Sequence, residues 1–367
     1  RLFGRLSVPA GELGDQHGAE EAVLRDGEAV DGGEVKLRGG IVGCGFFAQF
    51  QIDAWRRMPE VELVAAADPD LARAGQAAPK AYASMAEMLD GEKLDFVDIA
   101  TRPDTHLPLV REAAARGVAI VCQKPLAPTW EEAKEIVRAA AGVPFMVHEN
   151  WRWQPWFREA AARISRGDIG RPLTYGFRTR KRDGLGAAPY TAQPYFKEMP
   201  RLLIHETLIH HIDTARLLFG DVREVYADAR RGNPAIAGED MAYLLLGHES
   251  GLLGSIDGNR YTEAGYYKPY PDAPPLGEAT FEGEEAMLTV MANGDLLRNG
   301  ELVWRNPVSG GYRGDSVLAT QQHFVRQLQA GGAFETSGPE YLKSVAVVEA
   351  AYRSRESGVR VAIGTLF

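Results

Sequence analysis

Residues 35–45 read VKLRGGIVGCG and run on into FFAQF, and the reading of this stretch decides the fold. A strand-like run ends in Gly43-Cys44-Gly45-Phe46-Phe47-Ala48, which has the spacing G-x-G-x-x-A. Residues 47–58 (FAQFQIDAWRRM) follow, with Phe47, Phe50, Ala54 and Met58 near helical spacing. Strand, glycine turn and helix, in that order, are the setting in which this spacing binds a dinucleotide. Gly43 permits the tight turn, Gly45 lets the backbone approach a pyrophosphate, and Ala48 allows close helix–strand packing. Phe46 and Phe47 lie in the same turn, and the helix start presents free N–H groups to the phosphates. Asp68 closes the next strand, VELVAAADPD, where a carboxylate accepts hydrogen bonds from ribose hydroxyls and repels a 2′-phosphate. No Arg follows it immediately, so the expected cofactor is NAD, with NADP disfavoured.

Outward from this turn, strands and helices alternate. LDFVDIATRP, VAIVCQKP and VPFMVHEN read as strands, and THLPLVREAAARG and APTWEEAKEIVRAAA as helices between them. Such alternation with short connections is the mark of a parallel sheet built from βαβ units. After about residue 150 the pattern changes. Residues 202–219 (LLIHETLIHHIDTARLLF) form one long helical pattern, residues 224–304 are rich in strands, and helices over 320–330 and 338–356 close the chain. The expected class is α/β: a doubly wound Rossmann domain over 35–150, then an α/β domain over 151–367 with an open, mostly antiparallel sheet. Residues 1–34 are acidic, Gly-rich and weakly periodic, and read as a disordered or non-native tail.

Composition narrows the function classes. The chain has 367 residues, 45% hydrophobic and 25% charged, enough to bury a large core without disulfides. A net charge of -9 speaks against a nucleic-acid-binding face, which needs clustered excess Lys and Arg. The two cysteines, Cys44 and Cys122, form no C-x-x-C pair, which fits a reducing compartment. No apolar run approaches the roughly 18 residues that span a bilayer, so a cytoplasmic location without a membrane partner is expected.

Lys124, in QKP, ends a strand whose carboxyl end opens into the crevice where such sheets bind ligands. Glu206 and His210 stand four apart on the 202–219 helix and share a face there. A carboxylate beside an imidazole fixes its tautomer and suits acid–base work. HETLIH is not the H-E-x-x-H of zinc proteases, so no metal is expected.

The turn with Asp68, the ATRPDTH segment, QKP and ETLIHHID occur in the order seen in the Gfo/Idh/MocA oxidoreductases, and the chain resembles that family from about residue 35 to its end. Within it, CGFFAQ, QKPLAP, MVHENWRWQ, NPAIAGED and SGPEYLKSVAVVEAAYRS resemble the D-apiose dehydrogenase-like group. The resemblance implies NAD-dependent oxidation of a sugar or polyol hydroxyl by a homodimer or homotetramer. It implies that Lys124, Glu206 and His210 are catalytic, and that Thr101, Arg102, His106 and Gln123 line the cofactor. In that reading His210 takes the hydroxyl proton, Lys124 steadies the alkoxide and Glu206 orients His210. Gln123 stands where the family usually has Glu, which removes a neighbour that holds the lysine charged. Glu149 and Arg152 are read as sugar-hydroxyl contacts, Trp153 as an apolar wall and Tyr195 as part of a substrate loop. Two other activities remain compatible with the residues: an epimerase or lyase that recycles its NAD, and a non-catalytic nicotinamide sensor.

Overall fold

A computed structural model describes residues 36–261, 277–307 and 314–367. The tail expected over 1–34 lies outside the described residues. The first sheet consists of β1 (Leu37–Val42), β2 (Val61–Ala67), β3 (Lys80–Tyr82), β4 (Phe96–Ile99), β5 (Ala119–Gln123) and β6 (Phe145–His148). All are parallel, in the order β3-β2-β1-β4-β5-β6. Helices α1 (Ala48–Arg56), α2 (Leu71–Ala77), α3 (Met85–Gly91), α4 (His106–Ala115) and α5 (Trp130–Ala139) connect them. β4 and β5 are buried along their whole length, as strands covered on both faces must be. β3 has no apolar run to announce it; Lys80, Ala81 and Tyr82 pair with Ala65, Ala66 and Ala67, and Glu92 accepts from the side chains of Lys80 and Tyr82. The strand order reverses between β1 and β4, so the connections at their carboxyl ends diverge and open a crevice.

The second sheet has nine strands. After α6 (Pro155–Ser165) come β7 (Pro172–Arg180), α7 (Ile209–Phe219), β8 (Val222–Arg230), β9 (Met241–His248) and β10 (Leu253–Asn259). β11 (Glu278–Gly283), β12 (Met287–Val290), β13 (Leu296–Arg298) and β14 (Glu301–Trp304) follow, then α8 (Gly314–Ala330), α9 (Gly338–Ser357) and β15 (Val361–Ala362). The order is β14-β13-β12-β11-β7-β10-β9-β8-β15, antiparallel except for the parallel pair β7 and β10. Alternating burial along β8, β9 and β10 leaves one face on α7 and α9 and the other facing out.

Two features tie the sheets together. α8 returns to the first sheet, where Phe324 packs against Phe96 and Trp55 with ring centroids 5.4 and 6.3 Å apart. Thr336 Oγ1 and its carbonyl bond the backbone of Val147 on β6. The 202–219 segment is not one α-helix. Leu203–Leu208 form a π-helical turn and α7 begins at Ile209. The buried Glu239 accepts from the Ile204 N–H, and its carbonyl accepts from that of Leu203, which anchors the wider turn at its start. A π turn closes i→i+5 bonds, so residues four apart no longer stand one above the other.

Candidate active site

The glycine turn closes one end of a cavity of about 750 Å³ at the crevice. Gly43 has φ +86°, and a Cβ there would lie 2.7 Å from Thr101 Cγ2. At Gly45 a Cβ would meet nothing within 4 Å, so its side is open to a ligand rather than filled by protein. No side chain caps the start of α1, whose first amides remain available to an anion. Asp68 Oδ2 accepts from the Cys44 N–H at 2.8 Å, tying the turn to β2 and holding the carboxylate at the cavity wall. Arg73, also on that wall, pairs with Asp70. An uncapped helix start, an open glycine at position 45 and a fixed acid fit a dinucleotide without a 2′-phosphate. Gly43, Gly45, Phe46, Phe47, Asp68, Thr101, Arg102, Gln123 and Lys124 all line this cavity.

At its other end the cavity meets the second sheet. Lys124 Nζ bonds Glu206 twice, to Oε1 at 2.7 Å and to the carbonyl at 2.9 Å. Arg260, from the end of β10, reaches Glu206 Oε2 at 3.0 Å and forks onto Asp183. Its guanidinium lies 4.6 Å from the ring centre of Tyr190. Burial alone would raise the Glu206 carboxyl, but Lys124, Arg260 and Lys181 outweigh it and hold it well below the usual carboxylate range. His210, at the start of α7, turns Nδ1 to Glu149 Oε1 at 2.5 Å and stacks on Trp151 at 5.1 Å. Burial pushes its imidazole below the ordinary value, with Glu149 pulling the other way. The ring is therefore neutral near pH 7, with Nδ1 donating to Glu149 and Nε2 left for the cavity that His210 lines. Glu149 is fully buried, and besides His210 it accepts from the Trp151 N–H at 3.0 Å and Tyr341 Oη at 3.1 Å.

Several expected roles change. Glu206 does not orient His210; it holds Lys124 and Arg260, because the π turn separates the two side chains. Glu149 is not a sugar contact, since all its hydrogen bonds are spent inside the protein and it is the residue that orients His210. Arg152 is buried in a two-pronged pair with Asp213 at 2.7 and 2.8 Å and braces α7. Trp153 packs between Arg158 and His323, outside the cavity, and Trp151 is the indole on its wall. His106 is fully buried and spans Leu126 O and Thr101 O, so it shapes the cofactor wall from behind. Gln123 turns its oxygen to the Lys124 N–H, and Glu206 supplies the carboxylate that accepts from Lys124 Nζ. Tyr195 does line the cavity, where it accepts from Gln193 and lies under Arg102. Sequence reasoning missed Lys181, Asp183, Gln193 and Arg260, all on the same wall. No local pattern marks them; each reaches the site from a loop or a strand end.

A model described as an oxidoreductase family with an NAD-binding Rossmann fold matches residues 37–150, and the GFO/IDH/MocA C-terminal domain matches 157–289. A D-apiose dehydrogenase from Paraburkholderia graminis is 38% identical, covering 90% of this chain and 91% of its own. One from Rhizobium rhizogenes is 35% identical over 90% and 99% of the two chains. The crystal structure of an oxidoreductase from Agrobacterium radiobacter in complex with NAD+, L-tartaric acid and magnesium superimposes with a TM-score of 0.83 at 34% identity. It covers 91% of this chain and 100% of that one.

Proposed function

The chain belongs to the Gfo/Idh/MocA family of oxidoreductases and is an NAD-dependent dehydrogenase, and on that premise we propose that it oxidises a hydroxyl of a small sugar, D-apiose or a similar aldose, with His210 as the base. The observation that carries the reading is the buried Glu149–His210 pair facing the cavity beside Lys124. NAD, when bound, accepts the hydride from the carbinol carbon. His210 Nε2 takes the hydroxyl proton, and Glu149 stabilises the imidazolium that results. Lys124 has three N–H groups, of which Glu206 holds two, so one is left to steady the developing alkoxide. Arg260 and Asp183 hold Glu206 in place. Lys181 and Gln193, rather than Arg152 and Trp153, are the polar groups offered to the other sugar hydroxyls.

One family feature remains part of the proposal. Tyr243, Leu245 and Leu253 are exposed on the outer face of the second sheet, which supports its use as a contact between copies in a homodimer or homotetramer. The chemistry is tested by NADH absorbance with NAD and a panel of aldoses including D-apiose, ketoses and inositols. NADH formed with an aldose supports the reading. No NADH with any member, while NAD binds by calorimetry, defeats it; a product formed without NADH then identifies internal recycling.

A further inference from the structure

Behind the lysine, three buried side chains form a hydrogen-bonded line that ends on its main chain. Asp98 on β4 and Gln51 on α1 are fully buried, and Gln123 at the end of β5 nearly so. Asp98 accepts from Gln51 Nε2 at both oxygens, 2.8 and 3.0 Å, and from Trp55 Nε1 at 2.8 Å. Gln51 Oε1 accepts from Gln123 Nε2 at 3.3 Å. Gln123 Oε1 accepts from the Lys124 N–H at 2.8 Å.

The direction of this line is set at both ends. Asp98 receives N–H groups at both oxygens, and an indole N–H and a backbone N–H only donate. Burial raises the Asp98 carboxyl to about 7, so above that pH it is a carboxylate that only accepts. Between such ends each amide has one satisfactory orientation, with its NH2 towards Asp98 and its oxygen towards Lys124. We propose that Asp98, Gln51 and Gln123 are positioning residues for Lys124: the line fixes the amide of Gln123, and through it the loop that presents Nζ to the substrate. The proposal rests on the role given to Lys124 above.

The line makes a specific demand at position 123. Gln123→Glu sets a carboxylate oxygen against Gln51 Oε1. If Gln51 turns over to donate to it, Gln51 Oε1 then faces Asp98. With Asp98 ionised, above about pH 7, two acceptors meet in either arrangement. Asp98→Asn makes the opposite fault. The new amide keeps its oxygen for Trp55 and turns its NH2 to that of Gln51. Turning both glutamines over then sets the NH2 of Gln123 against the Lys124 N–H. The two substitutions together are compatible. Asparagine at 98 donates to Gln51, Gln51 donates to the carboxylate at 123, and that carboxylate still accepts from Lys124 N–H. The double variant reverses the direction of the line and preserves its end. This accounts for a glutamine at 123 in a chain that has Gln51 and Asp98 behind it.

The test uses the full chain as wild type, Gln123→Glu, Asp98→Asn, the double variant and Lys124→Met. It measures kcat and KM with NAD and the best sugar of the panel, D-apiose on the present reading, and Tm for each protein, all at about pH 9, where Asp98 is ionised. Each single variant is expected to lose about ten- to a hundredfold in kcat, the size of an unsatisfied buried contact. The double variant is expected to return to within about threefold of wild type, far from the product of the two losses. A single variant with wild-type kcat, or a folded double variant with multiplied losses, overturns the proposal. So does a cycle that couples in Tm but leaves kcat flat while Lys124→Met is inactive, because the line would then be structural only. If Lys124→Met turns over normally, the role of the lysine fails instead, and the proposal with it. If a single variant does not fold, the double variant decides alone: near-wild-type kcat supports the line, and the rate of Lys124→Met refutes it.

Discussion

Replacing Glu149 by Gln isolates the contribution of one buried charge to the reaction. The amide can hold nearly every bond the carboxylate makes. Its oxygen accepts from His210 Nδ1–H and the Trp151 N–H, both of which meet Oε1, and its NH2 faces Tyr341 Oη, which can accept. The ground state, a neutral imidazole donating to an oxygen, survives. What is lost is the ion pair formed when His210 takes the substrate proton. A charge-assisted bond exceeds a neutral one by about 1.4 kcal/mol, which sets the lower estimate at about tenfold. Two unit charges about 4 Å apart at an effective dielectric of about 20 attract by about 4 kcal/mol, which sets the upper estimate near 1,000-fold. Steady-state kinetics should therefore show kcat reduced by about 10- to 1,000-fold, with sugar KM and NAD affinity within about twofold. Because Glu149 raises His210, its removal lowers the imidazole further, and the acid limb of the kcat profile moves to lower pH. Wild-type kcat in this variant, or a loss confined to KM, would refute the pairing read from the structure.

Three other outcomes follow from the same geometry. His210→Ala should lower kcat by roughly 10²- to 10⁴-fold while calorimetry still shows NAD binding, since no bond of His210 reaches the glycine turn. Asp213→Ala removes the two-pronged partner of the buried Arg152 and leaves it the looser Glu335 contact at 3.5 Å, so melting should show a loss of about 3 kcal/mol with sugar KM unchanged, whereas a true sugar contact at Arg152 would raise KM. Stability should fall on acidification below pH 6.5, because burial lowers His148 and His205 from 6.5 to about 4 and His211 to about 3. Their neutral forms stabilise the fold above pH 6.5, and that contribution, about 3 kcal/mol or more each, is lost as pH falls through the folded values. Asp98 acts with the opposite sign: burial raises it from 3.8 to about 7, so its share is present below pH 3.8 and lost as pH rises through 7. At about 4 kcal/mol it is outweighed by the three histidines, and a Tm that holds or rises on acidification to about pH 5 would contradict this balance.

The part of the fold visible in the chain was the part written in local periodicity. The first sheet carries long apolar runs and glycine punctuation, and the G-x-G-x-x-A spacing lies where β1 meets α1. β3 was not visible, since three half-exposed residues leave no pattern and only the edge of β2 makes them a strand. The π turn was hidden for another reason. Residues 202–219 have helical periodicity throughout, and what widens the turn is anchored by Glu239, from the loop before β9. Likewise nothing near Phe324 shows that α8 crosses back to cover Trp55 and Phe96.

The site was visible as a list of residues but not as a set of pairs. Lys124, Glu206 and His210, named from the sequence, all line one cavity. Their partners were misassigned because the only pairing rule the chain offers is proximity on a helix, and that rule joined Glu206 to His210. The actual partners are separated by 82 residues for Lys124 and Glu206 and by 61 for His210 and Glu149. Such pairs follow from the packing of α7 against the ends of β5 and β6, which periodicity does not encode. The consequence for the chemistry is direct. In the proposed mechanism, with Glu206 on the lysine and Glu149 on the imidazole, each reacting group has its own carboxylate. Glu206, held ionised by Lys124 and Arg260, accepts from the lysine, while burial keeps the imidazole neutral and able to accept, with Glu149 behind it to receive the charge. One shared carboxylate cannot satisfy both, since pairing with one cation weakens its pull on the other. The division of labour between proton acceptor and alkoxide donor therefore depends on two acids from two different elements.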